Sequence, residues 1–255
     1  PHTLQFIANA IALDQRGITL LSTTQNYGNF QHAVVSDKIS PYLDDLIASA
    51  IGSCIVRRKN QYRLFFSGGA AVYMTIKDKK ILGMTSVTLP NPITCISSEE
   101  GASGNEEIYF GSTDGFVYQM DVGTSFDGAV ISWHAELAFN HFGGPRQLKT
   151  FRKGVTEVTG SGYCEFSFGY SIGYGATEYD AAPSTTLTAS LSASNWDAFV
   201  WDNFYWDGRT LSPSEADITG TAENISLVFS GSSDEFLPFT LNSEIIHFTP
   251  RRGMR

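Results

Sequence analysis

Charge is scarce in this chain. Only 17% of its 255 residues are Asp, Glu, Lys or Arg, and the 26 acidic residues outnumber the 17 basic ones. A formal net charge of −9 leaves too little basic surface for a reader of nucleic-acid phosphates. Cysteine is scarcer still. Cys54, Cys95 and Cys164 stand far apart with no Cys-x-x-Cys pair, which argues against both a disulfide framework and a cysteine zinc site. Each has apolar or aromatic neighbours, so all three are expected as buried free thiols, compatible with a reducing cytosol during assembly. No apolar run is long enough to span a bilayer, and no signal peptide is visible. The chain opens on Pro1 rather than Met and is expected to be a fragment or a processed product.

Catalytic patterns are also missing. His2, His32, His134, His141 and His247 are dispersed, without the spacing that sets two ligands on one helix face. There is no Gly-x-Ser-x-Gly elbow and no phosphate-binding loop, and Gly173-Tyr174-Gly175 has no βαβ context. Asp114-Gly115 and Asp127-Gly128 resemble pieces of calcium loops but lack the full ladder of ligands. No cofactor is expected. The sequence leaves open which distant carboxylates converge, so a glycoside hydrolase stands as the enzyme alternative.

What the chain has is aromatic residues, at 13%, together with many Gly, Ser and Thr. This is the composition of strands and turns. Ile7–Leu13, the turn Asp14-Gln15-Arg16-Gly17 and Ile18–Ser22 read as a hairpin. Tyr62–Phe66, Ser67-Gly68-Gly69 and Ala71–Ile76 read as a second, and Glu107–Gly111, Ser112–Gly115 and Phe116–Asp121 as a third. Asp-Gly between two apolar runs is a strong hairpin signal, because Gly takes positive φ without strain. The last two copies lie about 46 residues apart, the length of a four-stranded propeller blade. Two clear copies and one vague one do not close a ring, so an incomplete propeller is expected over residues 1–142, with a β-sandwich of similar hairpins as the alternative. Between the first two hairpins, Ser40-Pro41 begins a short packing helix that places Leu43, Leu46, Ile47 and Ala50 on one face.

Turn residues from Asn140 to Pro145 mark a boundary. Beyond it, over 145–255, short strands at regular intervals predict a β-sandwich or jelly-roll-like module, so the chain as a whole is read as all-β. In Glu165-Phe166-Ser167-Phe168-Gly169-Tyr170 polar and aromatic residues alternate, as in a half-buried strand. Trp196, Trp201 and Trp206 fall within eleven residues. They are candidates for a protein contact, with packing and a carbohydrate platform as the other readings. From Gly154 to Pro250 the single basic residue Arg209 faces 13 acidic ones. Arg146, Lys149, Arg152 and Lys153 precede this stretch, and Arg251, Arg252 and Arg255 follow it.

Val117–Gly128, with its Gly123-Thr124-Ser125-Phe126-Asp127-Gly128, and Leu137–Lys153, with His141-Phe142-Gly143-Gly144-Pro145-Arg146, resemble runs of bacteriophage tail nozzle proteins, also called tail tubular protein B, of short-tailed phages. Arg16–Thr19, Tyr27–Phe30, Asn60–Phe66 and Asn242–Arg252 are similar to further pieces of that family. The resemblance implies a non-enzymatic virion component, made in the host cytoplasm and carried in the phage tail. It implies a homo-oligomeric ring, usually of six, around the channel through which DNA leaves. Partners would be other tail proteins (an adaptor, fibres or a needle), with DNA passing without specific binding. On that reading Arg146, Lys149, Arg152 and Lys153 are candidates for binding an acidic neighbour. Acidic residues such as Glu157, Asp202, Glu223 and Asp234 are candidates for a wall that repels DNA. A glycan- or receptor-binding propeller is the alternative outside the enzymes.

Overall fold

The computed structural model describes residues 3–7, 9–20, 34–78, 80–102, 104–160, 162–175, 185–190 and 211–251. The described chain is all-β with one short helix, and it divides into two compact units, Pro1–Gly123 and Thr124–Arg255.

Among the described residues, the first unit holds three antiparallel meanders in which each strand pairs with the next one in sequence. They are β1 (Gln5–Ile7), β2 (Asn9–Asp14) and β3 (Gly17–Leu20); then β4 (Ala50–Val56), β5 (Gln61–Phe66), β6 (Ala70–Lys77) and β7 (Lys80–Thr88); then β8 (Ile93–Glu100), β9 (Glu106–Ser112) and β10 (Val117–Met120). The run expected as one strand from Ile7 is folded back on itself, with Ile7 opposite Asn9. The turns form where the sequence places them. Asp14 caps the first by accepting from Arg16 N–H at 2.7 Å, and Asp114 the third by accepting from Phe116 N–H at 3.0 Å. The helix α1 (Ser40–Asp44) is a single turn carrying Pro41 near its start. Its Leu43 is fully buried, and Leu46 and Ala50, beyond its end, pack on the same core.

The four-stranded sheet is covered on both faces. Tyr62, Leu64, Phe66, Val72 and Met74 pack with Ile11 and Ile18 of the first meander. Between them in sequence, Arg63, Phe65 and Ala71 are buried as well. The first strands of successive meanders stand side by side. Gln5 of β1 donates to the Ser53 carbonyl of β4 at 2.9 Å, and Ser98 of β8 donates to the Ile55 carbonyl of β4 at 3.1 Å. The flanking meanders present apolar residues to solvent, with Phe6 75% and Val117 74% exposed.

The second unit is a β-sandwich. One sheet has the order β11 (Ile131–Glu136), β17 (Ile225–Ser233), β13 (Tyr163–Ile172), β14 (Thr185–Ser190). In the other, β12 (Lys149–Gly160) pairs with β15 (Leu211–Asp217), with β16 (Thr221–Ala222), and along its length with β18 (Phe239–Pro250). The alternation from Glu165 to Tyr170 holds: Phe166, Phe168 and Tyr170 are buried with Phe151, Val158, Leu227 and Phe229. Each buried phenylalanine contributes about 1.5–3 kcal/mol. The unit begins earlier than residue 145, because β11 pairs with β17 from Ile131↔Ser233 to Glu136↔Val228. The turn at His141–Pro145 therefore lies inside it. Cys54 and Cys164 are buried free thiols as expected, whereas Cys95 is exposed, since β8 turns most of its length toward solvent.

Candidate functional site

The basic candidates before β13 do not act as one patch. Arg146 and Arg152 are exposed. Lys153 is half-buried and forms an ion pair with Glu215 on the neighbouring strand β15. Lys149 is not available to a neighbour. Its side chain is 1% exposed, and its ammonium donates to the carbonyls of Gly144 (2.7 Å), Gln147 (2.9 Å) and Glu223 (3.0 Å). Three carbonyls satisfy the three donors of a lysine, so this charge fastens the Gly144–Gln147 turn to the loop before β17. Trp196, Trp201, Trp206 and Asp202 lie outside the described residues.

The other acidic candidates are separated. Glu223 and Asp234 are exposed but flank opposite ends of β17, separated by the length of that strand. Glu157 lies in β12, where it accepts from Ser243 of β18. The carboxylates that the fold does bring together are Glu157, Glu215 and Asp217. By strand alternation and register they share the outer face of one sheet, with Lys153 among them. No pattern in the sequence marks this grouping, because β15 (Leu-Ser-Pro-Ser-Glu-Ala-Asp) has little apolar content.

The first unit holds a polar centre that no motif in the sequence announces. Arg63, 1% exposed, sits mid-strand in β5 and forms a two-pronged pair with Asp121, just past β10, at 3.0 Å and 2.8 Å. Gln61 Oε1 accepts from Arg63 Nε and Nη2 at 3.1 and 2.9 Å, and the guanidinium lies 4.3 Å over the Tyr73 ring. Lys59 adds a second cation to Asp121 at 2.9 Å. Burial pushes the Asp121 carboxyl upward, but the hydrogen bonds and charges of Arg63 and Lys59 more than reverse this and hold it below the usual carboxylate range. Burial pushes the neighbouring Cys54 thiol up to about 12 and the Tyr73 phenol up to about 12, against the opposing charge of Arg63. Such a network satisfies a buried cation and leaves no activated nucleophile. A lone arginine between apolar residues, Tyr62-Arg63-Leu64, was the one available sequence signal.

Among the described residues no group of three His, Cys, Asp or Glu side chains is placed to hold a metal ion. No helix of the described chain is long and apolar enough to cross a membrane. Compared with known proteins, the chain matches no family model and no curated sequence.

Proposed function

We propose that this chain is a structural subunit of a phage tail nozzle, a homo-oligomeric ring lining the channel for genome ejection, and not an enzyme. The observation that carries the reading is the arrangement of the first unit. Its meanders follow one another in chain order, with their first strands side by side at Gln5–Ser53 and Ile55–Ser98 and the middle sheet covered on both faces. This is how successive propeller blades stack around an axis. The exposed Phe6 and Val117 on the flanking meanders accord with an arc rather than a closed propeller. An incomplete propeller is what the resemblance to tail nozzle proteins implies, and here the β-sandwich follows it in the chain. In this reading the outer sheet face with Glu157, Glu215 and Asp217 is the acidic surface turned toward passing DNA. Arg146 and Arg152 remain the basic contacts for an acidic neighbour.

The test is the mass of the protein in solution, by sedimentation or light scattering over a concentration series, alone and mixed with purified tail proteins. A ring-sized species in either setting is expected. A monomer indifferent to tail proteins overturns the reading. If that monomer also bound or cleaved glycans, the glycan-binding or hydrolase alternatives would take its place.

A further inference from the structure

Strand β18 forms one edge of its sheet, since β12 is the only strand it pairs with among those described. By register with buried positions of β12, its inward side chains are Leu241 (opposite Val158), Glu244 (opposite Thr156), Ile246 (opposite Gly154) and Phe248 (opposite Phe151). A carboxyl thus occupies a position in an otherwise apolar row that faces the sandwich core. Thr156 Oγ1 donates to its Oε2 at 2.5 Å. Its Oε1 is buried and has no hydrogen-bond partner.

Residue 154 makes room for this oxygen. A Cβ on Gly154 would stand 2.6 Å from Glu244 Oε1, 3.1 Å from Phe168 Cζ and 3.2 Å from Ile218 Cδ1. The space a side chain at 154 would fill is thus shared by the carboxyl oxygen, an aromatic edge and an aliphatic tip. The ionisable residues nearby in the strands, Glu157 and Lys153 on β12 and His247 on β18, lie on the opposite face of the sheet by register. From β13 the packed neighbour is Phe168, and after β15 it is Ile218, and neither titrates.

We propose that Glu244 is a proton-operated latch on the edge of the sandwich: protonated, it seats β18 against β12, and ionised, it releases that edge. This goes beyond the nozzle reading and does not depend on it. A neutral carboxylic acid tolerates a site with one hydrogen-bonding partner. A carboxylate there has a single donor for a full charge, so it is better served by swinging into water, which draws the β12–β18 ladder apart around Thr156. Burial accordingly pushes the group up to about 7, against the opposing hydrogen bond from Thr156. The folded state holds a proton that the unfolded chain gives up near 4.5. The stabilisation is therefore complete below that value, falls as pH rises toward 7, and is absent above it.

Hydrogen exchange followed by mass spectrometry on the whole protein tests the latch. Opening of Phe239–Pro250, corrected for the chemical rate of exchange, should become on the order of tenfold more frequent between about pH 5 and about pH 8, while β13 stays unchanged. Glu244→Gln, which keeps the shape and cannot ionise, should remove the dependence. Equal opening of wild-type β18 at both pH values, or the same dependence in Glu244→Gln, overturns the proposal. Should Glu244→Gln fail to fold, the carbon-13 carboxyl titration of wild-type Glu244 decides: a midpoint near neutrality supports the latch, and one in the usual carboxylate range rejects it.

Discussion

Arg63, whose side chain is 1% exposed, donates two parallel hydrogen bonds to the carboxylate of Asp121, which is 20% exposed, within the first unit. The pair connects the middle of the second meander to the end of the third, so its loss should be felt as global destabilisation. Arg63→Ala leaves Asp121 without its main counter-charge and opens space beside Tyr73. A cost of about 3–5 kcal/mol is expected in urea unfolding of the first unit. Asp121→Asn, which tolerates the left-handed backbone here (φ +64), removes only the charge and should cost less. Because the Asp121 carboxyl is held below its ordinary value, its contribution is present above pH 3.8 and is lost as pH falls through the lower folded-state value. Acid titration of stability should lose this component in Asp121→Asn.

Lys149 and its neighbour Arg152 should behave in opposite ways. Lys149→Met keeps the apolar stem but strands three carbonyls, at a cost of about 2–4 kcal/mol by thermal or denaturant unfolding. Arg152→Ala and Arg146→Ala should stay within about 0.5 kcal/mol. In the nozzle reading, those two variants alter assembly and leave the fold intact. A Lys149→Met protein as stable as wild type would show that its ammonium does not fasten the turn.

Two adjacent glycines separate conformational strain from collision. Gly68 and Gly69 both have positive φ, +78 and +87, yet a Cβ on Gly68 meets open space while one on Gly69 would stand 2.2 Å from the Leu89 carbonyl oxygen. Gly68→Ala should cost about 1–2 kcal/mol. Gly69→Ala should cost a further 1–3 kcal/mol or so, because backbone must move to admit the methyl group. Equal melting temperatures for the two variants would contradict this.

Thiol chemistry should distinguish the three cysteines. Cys95 is exposed, whereas burial pushes Cys54 up to about 12 and Cys164 up to about 11. A maleimide or disulfide reagent at neutral pH should therefore label Cys95 alone in the native protein and all three after denaturation. Peptide mapping checks the site.

Much of this architecture was readable from period and turn chemistry. Asp14–Gly17 and Ser112–Gly115 announce their hairpins, because side-chain caps and positive-φ glycines are local properties. The Phe166–Tyr170 alternation reveals its buried face for the same reason. What escaped the sequence is what depends on distant partners. The boundary lies earlier than the turn residues suggest, because Ile131–Glu136 follows the third meander in sequence but pairs with β17. Lys149 read as a surface charge because the carbonyls that bury it come from a turn and from a loop far along the chain. The Glu157, Glu215 and Asp217 grouping depends on strand register, which no local pattern encodes. Glu244 lay hidden in a run, Glu244-Ile245-Ile246, whose apolar neighbours give no sign of which of them faces inward.

The pairing order has a consequence for synthesis on the ribosome. In the first unit each described strand finds its partner in the strand just made, so these hairpins can close as they emerge. In the second, β11 and β12 appear first, but their partners β17 and β18 arrive only after β13 to β16. Until then the nascent chain carries open strand edges and the aromatic row of β13 without a cover, the condition in which unfinished β-proteins adhere to one another. Translation speed and chaperone supply over this stretch should therefore govern the yield of native protein more than anything in the first unit.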